Sequence, residues 1–228
     1  MPIEAIFFDA GYTLVFPDHS LTLAPLASRD LHPTQEQLFA AERYAKRLLD
    51  EGHAHGDFGV DAHYWQTYYA RLLEDLAVPH DAALLDSLAA ATRKGTNWRV
   101  LRPGTREALE ELASRYRLAV ISNSDGSIAQ LMKELGLTLF FESITDSRLC
   151  GWEKPDPRIF QAAMQTLGVT PAQSLYIGDL YSVDYVGARA VGMSAVLMDA
   201  ADVYAGTDYP RISALGQFAS YLRRLDHQ

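Results

Sequence analysis

Cysteine is almost missing: among 228 residues only Cys150 carries a thiol. An internal disulfide framework is thereby excluded, and a reducing compartment fits the composition. Long apolar runs are missing too. No stretch approaches the roughly 20 residues that a membrane-crossing helix needs. The start, Met1-Pro2-Ile3-Glu4, lacks the basic opening and apolar segment of a secretory leader. A cytoplasmic protein is expected. Positive charge is scarce, with 20 Lys and Arg against 29 Asp and Glu and a net charge of −9. Such a surface argues against non-specific binding to nucleic acid or anionic membrane, while leaving room for a local positive pocket around a small anion. Internal repeats and low-complexity segments are absent.

What is present is an ordinary globular composition, 48% hydrophobic and 21% charged. It suffices to bury one large domain, or a domain with an insertion. The apolar run that ends at Phe8 and stops at Asp9 has the pattern of a strand buried on both faces in a parallel sheet. Between residues 15 and 98 the texture changes. Helices are expected over 34–49, 61–76 and 81–92, with no convincing strand between them. Lys46 falls on what reads as an ordinary polar helix face, and Tyr64, Trp65, Tyr68 and Tyr69 have the spacing of core packing. After Pro103-Gly104, helices and short strands alternate. Helices are expected over 105–116 (capped by Thr105), 127–135, from Asp156-Pro157 onward, over 183–190 and over 213–225. Strands are expected over 118–121, 140–144, 175–177 and 195–198. This alternation predicts an α/β fold with a Rossmann-like parallel sheet. The core would comprise residues 1–14 and 99–228, and residues 15–98 an inserted all-helical cap.

In open α/β sheets the chemistry sits beyond the carboxyl ends of the strands. That singles out Asp9, Ser122-Asn123 and Asp179. Alone, Asp9 reads more readily as a turn or helix cap than as a reactive group. Ser122-Asn123 alone is a polar turn, and Lys154 before a proline is a solvated loop residue. Asp179 and Asp184, five apart after a strand, suit a hard cation such as Mg²⁺.

Their order along the chain is more informative than any one of them. Asp9-Ala-Gly-Tyr-Thr13, Val120-Ile-Ser-Asn123, Lys154-Pro155 and Gly178-Asp179 through Asp184 resemble the four motifs of the haloacid dehalogenase superfamily. The position of the helical insertion resembles the C1 cap of the small-cap hydrolases grouped with phosphoglycolate phosphatase. The resemblance implies that Asp9 attacks phosphorus and forms an aspartyl-phosphate. It implies Mg²⁺ held by Asp9, the Gly11 carbonyl, Asp179 and Asp184. Lys154 and Ser122, with Asn123 beside them, would hold the phosphoryl oxygens. The substrate would be a small phosphorylated metabolite, with no nucleic-acid or membrane partner, and the protein a monomer or homodimer.

One position departs from the family pattern. Gly11 stands where most family phosphatases carry a second aspartate, the acid and base of the reaction. A positioned acid or base contributes about 10²–10⁴-fold. Its loss should hurt alkyl phosphates more than acyl or aryl phosphates, which leave without a proton. Asp125, His19 and His55 are the candidate stand-ins. Two alternatives stay open. One is a low-turnover protein of this fold that binds phosphate and Mg²⁺ for regulation. The other is a metal-independent 2-haloacid dehalogenase, which the intact Asp179/Asp184 pair disfavours.

Overall fold

A computed structural model describes residues 2–54 and 62–225. The chain first forms β1 (Ala5–Phe8), β2 (Phe16–Pro17), α1 (His19–Thr22), α2 (Ala24–Ala27), α3 (Gln35–Ala54), α4 (Ala62–Asp75), α5 (Ala82–Arg93) and β3 (Trp98–Val100). There follow α6 (Thr105–Ala113), β4 (Arg117–Ser122), α7 (Ile128–Glu134), β5 (Ser143–Asp146), α8 (Ser147–Cys150) and α9 (Pro157–Leu167). The last elements are β6 (Ser174–Gly178), α10 (Val186–Ala190), β7 (Ser194–Met198), β8 (Arg211–Ile212) and α11 (Phe218–Leu225). These divide into two compact units. One contains the chain up to Phe16, Val100–Ala200 and the chain from Gly206; the other contains Pro17–Arg99 and Ala201–Ala205.

The first unit is built on a six-stranded sheet in the order β5-β4-β1-β6-β7-β8. Every strand pair in it is parallel. All four residues of β1 are buried, because helices cover both faces of the sheet. Ala5 and Phe7 point into one cluster with Ile121, Ile159, Phe160 and Tyr176. On the other face Phe8 meets Phe141 and Phe218 edge-on at 6.0 and 6.4 Å. The chain leaves β1 for β4 and β5 on one side and returns to β6, β7 and β8 on the other. The topological switch point therefore lies at the carboxyl end of β1, where ligands of such sheets bind.

Several local expectations need correction. Thr105 does not cap α6; Gly104 does, at φ 80°, a left-handed conformation that glycine adopts without strain. The strand expected over 140–144 starts only at Ser143, because Thr138–Phe140 closes a 3₁₀ turn first. The helix expected over 183–190 is a π-turn, Tyr181–Tyr185, followed by α10. The C-terminal helix begins at Phe218 after a 3₁₀ turn over Leu215–Gln217. β2 and β3 pair as a separate two-stranded sheet where no strand was expected, and β8 was not foreseen. Elements of two or three residues are too short to show a hydrophobic period.

The second unit packs α3, α4 and α5 around Tyr64, Trp65, Tyr68, Tyr69, Leu73 and Leu88, all buried. Trp65 meets Tyr64 and Tyr68 edge-on at 5.0 and 5.5 Å. Lys46 is not on a solvated face as expected. It is buried and paired with Glu42 at 3.1 Å, one turn back on α3. The segment Ala201–Ala205 joins this unit through α3. Arg43 Nε donates to the Ala201 carbonyl at 3.0 Å and Arg47 Nε to that of Val203 at 2.9 Å, while Tyr204 and Asp50 share a hydrogen bond. Among the described residues no helix is long and apolar enough to cross a membrane.

Candidate active site

Asp9 is the first residue beyond β1. Its amide donates to the Ile177 carbonyl of β6 at 2.8 Å, so the sheet ladder fixes its backbone. Its Oδ1 accepts from Lys154 Nζ at 2.6 Å, with both side chains almost wholly buried. Lys154 lies in the loop between α8 and α9. Asn123, just past β4, holds the backbone of that lysine on both sides of its Cα. Its Oδ1 accepts from the Lys154 amide at 2.7 Å and its Nδ2 donates to the Lys154 carbonyl at 2.9 Å. Asn123 thereby places the lysine backbone. The side-chain amide thus satisfies one donor and one acceptor on either side of the Lys154 Cα.

Asp184 lies in the π-turn after β6. Its Oδ1 accepts from Lys154 Nζ at 2.7 Å and from the Tyr176 hydroxyl at 2.9 Å, and its Oδ2 accepts from the Leu180 amide at 3.0 Å. Gly178 makes this position possible. A Cβ there would lie 2.4 Å from Asp184 Cγ, so any other residue would displace the carboxylate. Ser122 closes β4 on the strand beside β1 and is buried at the same end of the sheet. Gly11 lies in the tight turn after Asp9, where the Leu14 and Val15 amides both donate back to the Ala10 carbonyl.

Asp9, Asp179 and Asp184 each present one carboxylate oxygen within 4.8 Å of the others, and all three are buried. With Lys154, the four charges sum to −3 + 1 = −2 when all are ionised. Burial pushes the Asp9 carboxyl up to about 7; Lys154 opposes that rise, and Asp184 and Asp179 add to it. Burial also works against the Lys154 ammonium, but the Asp184 and Asp9 carboxylates outweigh it and hold the lysine above its ordinary range. Burial, followed by Asp184 and Asp9, raises the Tyr176 hydroxyl well above the usual tyrosine value. A net negative pocket of three converging carboxylates is a hard-oxygen donor set, and it fits a small divalent cation such as Mg²⁺.

The structure therefore brings together Asp9, Lys154, Asp179 and Asp184, drawn from three separate stretches of chain. It does not support Asp125 as a stand-in acid: that carboxylate is exposed and accepts from the Ser127 amide and hydroxyl in its own turn. His19 belongs to α1 of the second unit, and His55 lies outside the described residues. Sequence reasoning missed Tyr176. The available signal was a tyrosine inside the buried run of β6, since a buried phenol needs a hydrogen-bond partner.

A parallel sheet with this cluster at its switch point defines an α/β core with a carboxylate site at its strand ends. The chain belongs to the haloacid dehalogenase-like hydrolase family, whose model matches residues 3–192. It is 29% identical to human haloacid dehalogenase-like hydrolase domain-containing protein 3, over 99% of this chain and 95% of that one. It is 31% identical to a glyceraldehyde 3-phosphate phosphatase of Methanothermobacter thermautotrophicus, over 86% of each chain. Among solved structures it resembles the magnesium-bound HAD hydrolase YfnB of Bacillus subtilis, with a TM-score of 0.71 at 20% identity over 97% of this chain and 99% of that one. A HAD phosphatase of Thermococcus onnurineus superposes with a TM-score of 0.61 at 20% identity, over 96% and 98% of the two chains. At that identity the two structures speak for the fold.

Proposed function

We propose that the protein is a Mg²⁺-dependent phosphohydrolase of a small phosphorylated metabolite, acting through an aspartyl-phosphate on Asp9. The observation that carries this reading is the buried cluster of Asp9, Lys154, Asp179 and Asp184 at the switch point. The relatives named as glyceraldehyde 3-phosphate phosphatases support a phosphorylated small molecule as the substrate class.

In this reading an Asp9 carboxylate oxygen attacks phosphorus and the bond to the leaving oxygen breaks. Water then attacks the same phosphorus, the acyl–phosphate bond breaks, and orthophosphate and the free carboxylate return. Lys154 opposes the rise that burial imposes on the Asp9 carboxyl and presents positive charge to the phosphoryl oxygens; Ser122 offers a hydroxyl from the next strand. Asp9, the Gly11 carbonyl, Asp179 and Asp184 would hold Mg²⁺. The ion supplies charge neutralisation between two anions that otherwise repel. Gly11 donates no proton to the leaving oxygen, so good leaving groups are the favoured substrates.

The test is hydrolysis of glyceraldehyde 3-phosphate, p-nitrophenyl phosphate and acetyl phosphate, with Mg²⁺ and with EDTA, by wild type and Asp9→Asn. Mg²⁺-dependent turnover that Asp9→Asn abolishes is expected. Gly11 also favours a second reading, a regulatory protein that binds Mg²⁺ and phosphate with little turnover. A folded protein that binds a phosphate analogue but hydrolyses none of the three would select it. Halide release from a 2-haloacid in EDTA would select carbon–halogen chemistry instead.

A further inference from the structure

We infer that Tyr176 is a positioning residue that locks the Lys154 ammonium between Asp9 and Asp184. A lysine ammonium has three N–H donors and no acceptor. Here three acceptors meet it: Asp9 Oδ1 at 2.6 Å, Asp184 Oδ1 at 2.7 Å and the Tyr176 hydroxyl oxygen at 2.8 Å. The set is complete, and the geometry around nitrogen is thereby fixed. The phenol's own hydrogen goes onward to Asp184 Oδ1 at 2.9 Å, with the Ile121 carbonyl at 3.3 Å as its other neighbour. Tyr176 thus closes a three-membered ring of hydrogen bonds with Lys154 and Asp184.

The support under this hydroxyl is rigid. Tyr176 sits in β6, fully buried, directly opposite Phe7 of β1 in the sheet register. Its ring meets Phe160 of α9 edge-on at 5.3 Å. Lys154, by contrast, reaches the site on a flexible four-carbon stem from a loop. Asn123 holds its backbone, but only the groups around Nζ hold its charged end. Two of those are carboxylates that the proposed reaction itself engages, which leaves the phenol as the one fixed support that does not change during turnover. An ammonium short of this partner would have an unsatisfied buried N–H and a wider range of rotamers.

The experiment is Tyr176→Phe, which removes one oxygen and keeps the ring against Phe160. It has two arms, and only the kinetic arm rests on the phosphohydrolase reading. In that arm kcat for p-nitrophenyl phosphate falls by about tenfold, equivalent to ~1.4 kcal/mol, while KM stays within about twofold. A merely structural role would lower thermal stability without this split. In the second arm, nitrogen-15 NMR of the wild-type protein shows a slowly exchanging ammonium, assigned to Lys154 by its loss in Lys154→Met. In Tyr176→Phe its protons exchange fast enough to broaden away. Unchanged kcat, or a rise in KM alone, overturns the proposal. So does an unchanged ammonium signal, or a wild-type protein with no protected Lys154 ammonium. A wild type inactive in the kinetic arm sinks the phosphohydrolase reading, and the ammonium signal then decides the role of Tyr176 by itself.

Discussion

Replacing Lys154 by methionine removes the lysine cation from a cluster of buried acids while nearly preserving volume. Removal of one partner from a buried ion pair costs about 3–5 kcal/mol, because the charge left behind stays desolvated. Lys154→Met leaves Asp9, Asp184 and the Tyr176 hydroxyl without their shared donor. In a chain of this size each kcal/mol moves Tm by roughly 2–4 °C, so a drop of roughly 6–20 °C is expected in EDTA. The drop should depend on pH. The Asp9 carboxyl, already pushed up to about 7 with Lys154 in place, rises further without it. At about pH 5.5 the variant can protonate Asp9 and shed the repulsion, whereas at about pH 8.5 ionisation is forced on it. The stability difference between wild type and variant therefore widens as pH rises. Adding Mg²⁺ should recover part of the loss, since a cation then enters the pocket that the ammonium has left. The control is Arg158→Ala, which breaks the exposed pair with Asp156 at 2.5 Å and should cost less than about 1 kcal/mol. Thermal unfolding with and without EDTA at the two pH values reads all of this. A pH-independent loss no larger than that of Arg158→Ala would refute the coupled cluster.

Other expectations follow from the same geometry. Mg²⁺ affinity, measured by calorimetry, should fall by up to about tenfold per pH unit below 7 and level off above it, because the proton on Asp9 must leave before the ion binds. Affinity that is flat across that range would remove Asp9 from the ion's ligands. Gly178→Ala forces a Cβ to within 2.4 Å of Asp184 Cγ, so it should cost about 1–3 kcal/mol of stability and weaken Mg²⁺ binding as well. Unaltered Mg²⁺ binding in a folded Gly178→Ala protein would show that the Asp184 position is not needed for the ion. Gly11→Asp should speed alkyl phosphate hydrolysis by at least about tenfold and aryl phosphate hydrolysis less. Equal effects on the two would mean that the missing acid is not limiting.

The buried strands could be read from the chain because their apolar runs are continuous. β1, β4 and β6 are covered on both faces, and each run ends abruptly at a polar residue that became part of the site or its frame: Asp9, Ser122 and Asp179. The N-cap of α9 was equally legible, since Asp156 before Pro157 both caps the helix and sets its first φ. What stayed hidden depends on contacts far apart in sequence. Tyr176 meets Lys154 from 22 residues away, and Asn123 meets it from 31, so neither task leaves a local pattern. The burial of Lys46 is decided by how α3 packs, because its period alone fits a solvated face equally well. The attachment of Ala201–Ala205 to α3 rests on backbone carbonyls, which carry no sequence signature.

Whether phosphorus is transferred to Asp9 is tested most directly by acid quenching during turnover of p-nitrophenyl phosphate in Mg²⁺, followed by peptide mass spectrometry. Gly11 favours this experiment, because a site without a positioned base hydrolyses its acyl phosphate slowly and lets it accumulate. One phosphoryl group is expected on the peptide that carries Asp9, absent in Asp9→Asn and absent in EDTA. Turnover that continues in Asp9→Asn, with no phosphoryl group on that peptide in the wild type, would contradict it.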